Sequence, residues 1–261
     1  VAIDKNLIKS EKDIVSDYIW DKTFDGKMNS KISWEHLLNQ SSDWHGNLFG
    51  INHWEDRPDR RKNIDDWRTE VQREPGTYYK YNDVRVNVLA YSLLQVYRKS
   101  LPIVLKNYIM DPIGASDSWR WYGYENSWVN IDGLMVQSVS GGGHNGGGVF
   151  INSEDHARFG LLYLNNGIWN DKKIISKDWI KKSITPSKTN PEYGYMWWIN
   201  SEKGEDYATS DWKNVPTNVY YGAGFGGNYV VIIPDENMIV VGRWLGRETI
   251  GTFIQMILES K

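Results

Sequence analysis

Residues 75–97 read PGTYYKYNDVRVNVLAYSLLQVY, and three signals lie end to end in them: a Pro-Gly turn, a group of tyrosines and the start of a long helix. Pro75-Gly76 is turn chemistry. From Asp83 onward, Val86, Leu89, Ala90, Leu93, Val96 and Tyr97 recur at the three- and four-residue spacing of one helical face. Tyr81 stands at the mouth of that helix. A phenol titrates near about 10 and is a poor base unless cations or hydrogen bonds favour its phenolate. The positive end of a helix is one such influence. The residues alone leave two readings open: Tyr81 as a proton shuttle for a nucleophile, or Tyr78, Tyr79 and Tyr81 as a wall beside a turn.

Working outward, ISWEHLLNQ offers Ser33 as N-cap of a helix with Trp34, Leu37 and Leu38 as its apolar stripe. The following SSDWHGNLFGINHWEDRPDRRKN is a long polar loop, and residues 1–74 as a whole read as irregular to helical. After Tyr97, Ser100 caps a second helix with Pro102 in its first turn, ending before Asp111-Pro112. SWRWYGYENSWVN is an aromatic connection with little periodicity. From residue 141 the texture changes to a glycine-rich segment and a short strand at 148–152. A helix capped by Asn152 or Ser153 follows, then another opened by Ser176. YGYMWWIN, VYYGAGFGG, NYVVIIP and NMIVVGRW read as strands, the last two joined at Pro234-Asp235-Glu236-Asn237, and ETIGTFIQMILES closes the chain as a helix. Helices first and neighbouring antiparallel strands later indicate an α+β arrangement, with a helical and loop lobe over 1–140 and a sheet-forming part over 141–261.

The 261 residues, 40% hydrophobic, suffice for a sizeable core. A net charge of −3 gives no reason to expect nucleic acid or an anionic membrane as partner. No apolar run approaches the ~18 residues of a spanning helix. With no cysteine, disulfides and thiolate chemistry are excluded. The 14 tryptophans fit an aromatic core with some exposed rings, or an aromatic-lined cleft. His144, between glycines, could project into a cleft or serve a turn; Trp44 and His45 could line a cleft or pack their loop. His45, His53, Glu55 and Asp56 are the one local cluster of ligand-type residues, but without HExxH or paired-Cys spacing no metal is expected. GGGHNGGG and GAGFGG lack the lysine of a phosphate loop, and no cofactor is implied. Oligomeric state is left open.

PGTYYKYNDVRVNVLAY together with ISWEHLLNQSSDWHG resembles the middle of the serine β-lactamase-like hydrolases: class C β-lactamases, DD-peptidases, related esterases and 6-aminohexanoate-oligomer hydrolases. KYND sits where that superfamily carries Tyr-x-Asn or Ser-x-Asn. MDPIGASDSW is similar to its segment after the next helix, and GGGVFINSEDHARFG to its GG-x-x-S-x-x-D-x-A-R-F element. YGAGFGGNYVVIIPDENMIVV resembles the region of its third motif, Lys/His-Thr-Gly, with the closing hairpin. The five segments follow the family's order over about residues 32–245. The resemblance implies a β-lactamase/transpeptidase-like fold, an antiparallel sheet flanked by helices with a mainly helical lobe. It also implies hydrolysis of a small-molecule amide or ester through an acyl-enzyme. Tyr81 maps to the base, and Asn82 and Asp83 to substrate-positioning groups. Gly222, Ala223 and Gly224 map to the third motif, which makes the Phe225 N–H the oxyanion donor. Trp44 and His144 join the substrate-binding set.

Three departures qualify the mapping. Ser210-Asp211-Trp212-Lys213 is the one Ser-x-x-Lys string, and it lies late in a polar loop. The family's motif would fall before Val1, and VAIDKNLIKSEKDIV lacks Met and any signal pattern. The sequence is therefore expected to begin inside a folded unit and to be inactive by itself, with any compartment signal upstream. Gly222 replaces a cation, which argues against carboxylate-bearing β-lactams. Asp83 replaces an amide by an acceptor-only anion. The rival expectation is a non-catalytic carbohydrate- or peptide-binding module that uses its aromatics.

Overall fold

The computed structural model describes residues 1–56, 62–141, 147–201, 212 and 214–260. The chain divides into two units: Val1–Leu105 with Arg120–Val149, and Lys106–Trp119 with Phe150–Lys261. The division differs from one at residue 140 because the chain passes into the second unit at Lys106 and returns at Arg120 before leaving for good.

In the first unit, short 3-10 turns at Val15–Asp17, Lys22–Phe24 and Asn29–Lys31 bury Val15, Phe24 and Asn29. Ser33 caps α1 (Trp34–Leu38), its hydroxyl accepting from the His36 N–H at 3.2 Å while its own N–H donates to His36 Nδ1 at 3.1 Å. A small hairpin, β1 (Asn47–Leu48) with β2 (Ile51–Asn52), and α2 (Ile64–Arg68) interrupt the expected loop. Its first residues are not a surface loop at all, since Ser41, Ser42, Asp43 and Trp44 are buried. Then comes α3 (Asp83–Tyr97), with the start read from the sequence. Its burial is not the single stripe expected: every residue from 83 to 92 is buried, Arg85 and Asn87 included. After α4 (Leu101–Leu105) the helix runs on as a π-helical turn, Lys106–Met110.

The aromatic connection is a correction to the sequence reading, because it holds strands. β3 (Arg120–Tyr122) later pairs with β6 (Gly148–Phe150), and β4 (Trp128–Ile131) pairs with β5 (Leu134–Gln137). Asp132 and Gly133 join β4 to β5 with φ of 52° and 87°, the left-handed pair of a two-residue hairpin turn. Val129, Ile131 and Val136 pack with Ala90, Leu94, Leu101 and Val104.

The second unit has α5 (Ser153–Leu164), a two-stranded β7 (Ile168–Trp169) and β8 (Lys172–Lys173), and α6 (Lys177–Ser183). Its sheet is antiparallel in the order β12-β11-β10-β9, with β9 (Trp198–Ile199), β10 (Tyr220–Gly224), β11 (Asn228–Ile233) and β12 (Met238–Gly242). The chain ends in α7 (Arg247–Glu259). Of YGYMWWIN only Trp198 and Ile199 are strand, since Met196 turns to φ 62°. Residues 229–233, YVVII, are all buried because both faces of β11 are covered. Tyr229, Val231 and Ile233 share a core with Ile250 and Ile254 of α7. On the opposite face, a Cβ at Gly160 of α5 would lie 2.9 Å from Val230 and 3.0 Å from Ile239, so that helix sits close on the sheet. Among the described residues no helix is long and apolar enough to cross a membrane.

Candidate active site

Tyr81 is half-buried, two residues before the first turn of α3. Gln40 fixes the backbone on both sides of it. The Lys80 N–H donates to the Gln40 carbonyl and the Asn82 N–H to Gln40 Oε1, each at 3.0 Å. Gln40 is fully buried and in the left-handed region at φ 58°. The stretch PGTYYKYND is thus laid along Gln40-Ser41, with the Gly76 N–H donating to the Ser41 carbonyl at 2.8 Å. These hydrogen bonds hold the backbone of Tyr81 just before the positive end of α3.

The two residues after it are spent on holding that geometry. Asn82 is the N-cap, 0% exposed: its Oδ1 accepts from the Arg85 N–H at 3.0 Å and its Nδ2 donates to the His53 carbonyl at 2.8 Å. Asp83 is buried, and its N–H donates to Asp56 Oδ2 at 2.5 Å. Trp44 is buried too, with Nε1 donating to the Thr23 carbonyl at 2.8 Å, so it packs its loop. All three were expected to face substrate; in the structure each is buried and makes the contacts just given.

That support has an ionic centre missing from the sequence-derived set. Arg85, 2% exposed, donates through Nη2 to Asp43 Oδ1 at 2.7 Å and through Nε to the Trp44 carbonyl at 3.2 Å. Asp43 Oδ2 accepts from the Arg73 N–H at 2.8 Å. Burial disfavours the Asp43 carboxylate, but Arg85 and the hydrogen bond from Arg73 outweigh it and hold its pKa below the usual value. The His45 and His53 rings stack at 3.9 Å beside this pair. Further along α3, Asn87 Nδ2 donates to Tyr124 Oη at 2.8 Å, and the Gly141 N–H donates to Asn87 Oδ1 at 3.1 Å. A signal existed for Arg85 and Asn87: both interrupt the apolar run VRVNVLA, where a polar side chain is tolerated only if paired. His144 lies outside the described residues, as do Ser210 and Lys213. Among the described residues no group of three or more His, Cys, Asp or Glu is arranged to hold a metal ion.

Gly222, Gly224 and Phe225 belong to the second unit and are described there by themselves. Tyr220 and Tyr221 pair with β9 on one side and β11 on the other, whereas among the described residues 222–224 pair with β11 alone. Among the described residues, then, the other edge of 222–224 has no paired strand. The strand then turns, the Gly227 N–H donating to the Gly224 carbonyl at 3.2 Å. Phe225 occupies the tip, 83% exposed, and its carbonyl accepts from Asn228 Nδ2 at 2.7 Å.

The beta-lactamase family model matches residues 11–242. No curated protein sequence matches closely enough to count as a relative. Among solved structures, a "Putative 6-aminohexanoate-dimer hydrolase from Bacillus anthracis" is similar at 18% identity and TM-score 0.66, over 99% of this chain and 67% of that one. A penicillin binding protein from Bacillus halodurans is similar at 16% identity and TM-score 0.64, over 98% of this chain and 80% of that one. A beta-lactamase/D-alanine carboxypeptidase from Pseudomonas syringae is similar at 14% identity and TM-score 0.63, over 98% and 78%. At these identities the likeness is one of fold: a β-lactamase/transpeptidase-like α+β architecture.

Proposed function

Because this chain belongs to the beta-lactamase family, we propose that it works in a serine hydrolase that opens an amide or ester bond of a small molecule through an acyl-enzyme. A serine hydroxyl attacks the carbonyl carbon and gives its proton to the phenolate oxygen of Tyr81, which becomes the neutral phenol. The family resemblance gives the role of oxyanion donor to the Phe225 N–H. The bond to the leaving amine or alcohol then breaks, Tyr81 returns the proton to that group, and water resolves the ester. The observation that carries this reading is the double clamp of Gln40 on the backbone of residues 80 and 82, which fixes the backbone of Tyr81 just before the N-terminus of α3. The strand edge at residues 222–224 supports it as a place for the substrate backbone. Asn82 and Asp83 act through the placement of Tyr81, and His144 remains a substrate-lining residue.

The one Ser-x-x-Lys string of this sequence, Ser210-Asp211-Trp212-Lys213, lies late in a polar stretch, and the proposal takes its nucleophile from a Ser-x-x-Lys outside these 261 residues. The 261-residue chain by itself should therefore leave 4-nitrophenyl butyrate intact. The product of the full reading frame should be labelled by a fluorophosphonate at a Ser-x-x-Lys serine. In that protein Tyr81→Phe should slow acylation by ~10²–10⁴-fold. An unchanged acylation rate would make Tyr81 a wall residue, and turnover by the chain alone would move the nucleophile inside it.

A further inference from the structure

Trp244 is 80% exposed and has φ 57°, in the left-handed region where most of its non-glycine companions in this chain are Asn or Asp. A bulky side chain there is strained, and an exposed indole recovers little by burial. The surroundings enforce the conformation. The Leu245 N–H donates to the Gly227 carbonyl at 3.1 Å, sewing the segment after β12 to the tip of the β10–β11 hairpin. A Cβ at Gly227 would lie 1.9 Å from the Leu245 carbonyl oxygen, and one at Gly226 would lie 2.7 Å from the Trp244 ring. Both glycines have φ 77°. The pair of glycines therefore admits the indole onto the hairpin tip, next in sequence to Phe225, itself 83% exposed. Two large rings are thus presented to solvent on one braced element, directly after the strand edge at 222–224. Exposed rings scattered singly need no explanation, but a strained one braced on a hairpin tip does.

We infer that Trp244 and Phe225 form a subsite for an aromatic group of the substrate, a phenyl-type acyl or amide portion laid flat on the indole. This rests on the reading of residues 222–225 as the edge that receives the scissile group. The flat indole face selects a planar ring by offset stacking and area burial, which a short acyl group cannot supply. Gly222, with no side chain, carries no charge to demand an anion.

The test uses the intact chain and two probes, phenylacetamide and acetamide. The indole N–H signal of Trp244 is assigned in an 15N-correlated NMR spectrum by its loss in Trp244→Phe, and both probes are titrated. Phenylacetamide should shift that signal saturably, acetamide should not, and Trp244→Ala and Phe225→Ser should each weaken phenylacetamide binding by about 5–10-fold. A signal unmoved by phenylacetamide, or moved equally by acetamide, overturns the subsite. A signal that moves with protein concentration alone also overturns it, by showing that a second copy covers the rings. Should Trp244→Ala not fold, the titration of the unmodified chain decides the matter. Binding involves no bond cleavage, so a failed hydrolysis test leaves this result standing. Confirmed hydrolysis with a silent Trp244 would remove the subsite alone.

Discussion

His45 lies nearly flat on His53, with an interplanar angle of 21°, and two imidazolium ions cannot share that contact. Burial, then the charge of His53, lower the His45 pKa from 6.5 to about 4, with Asp43 at 3.9 Å opposing and Arg85 reinforcing the shift. Burial lowers His53 as well, against the hydrogen bond with Gly46 and the pull of Asp43, and together with Arg85 and Lys80. The folded pKa lies below the unfolded one, so the unfolded chain binds more protons in between. The stability from the neutral stack is complete above 6.5 and is lost as pH falls towards about 4. His36 and His156 are shifted in the same direction by burial. The urea midpoint should therefore drop between pH 7 and pH 5, and His45→Gln should flatten part of that slope. A pH-independent midpoint in the unmodified chain would refute the neutral stack. Sequence could name Tyr81 and its neighbours as candidates because turn and helix signals are local. It could not say that the Asn82 amide is consumed by the Arg85 N–H and the His53 carbonyl, because His53 comes from 29 positions away.

At the level of elements, the start of α3 is the joint on which the first unit depends. Asn82→Ala removes the cap and leaves the His53 carbonyl without its donor, a loss of about 2 kcal/mol. Asp43→Ala should cost more, about 3–5 kcal/mol, because it strands the Arg85 guanidinium where 2% of the side chain is exposed. Chemical denaturation of the two variants tests that order, and the reverse ranking would show that Arg85 finds another partner or water. Periodicity placed the start of α3, and cap chemistry placed α1 and α6 at Ser33 and Ser176. It mistook the face of α3, since a helix covered on all sides has no single stripe to read. The β4–β5 hairpin went unseen because its strands expose Trp128, Leu134 and Met135 and so lack a clean alternation. Its Asp132-Gly133 turn was the available signal.

Over the whole molecule, the second unit recruits Lys106–Trp119 from the middle of the chain and ties it down at Asp155. That buried carboxylate accepts from the Ser116 N–H at 3.0 Å, Ser116 Oγ at 2.6 Å and Asn152 Nδ2 at 2.8 Å. Burial alone would raise its pKa, but these hydrogen bonds outweigh burial and hold it below the usual carboxylate value. Asp155→Ala should lower stability by about 2–4 kcal/mol and accelerate hydrogen exchange at the Ser116 amide; unchanged protection of that amide would show that the excursion is held elsewhere. Asp155 is the Asp of the segment resembling the family's D-x-A-R-F element, so that motif reads here as a staple within the unit. By itself, the sequence determined the α+β class, the family, the order of the closing strands and α7, and the position of Tyr81 before α3, because each is written in local periodicity, turn chemistry or a linear motif. Only the tertiary structure decided that Arg85 meets Asp43 across 42 positions, that Gln40 grips both sides of Tyr81, and that Trp244 is braced on the β10–β11 turn. Each of these is a meeting of distant segments whose free energy depends on what surrounds them after folding, which no local pattern encodes.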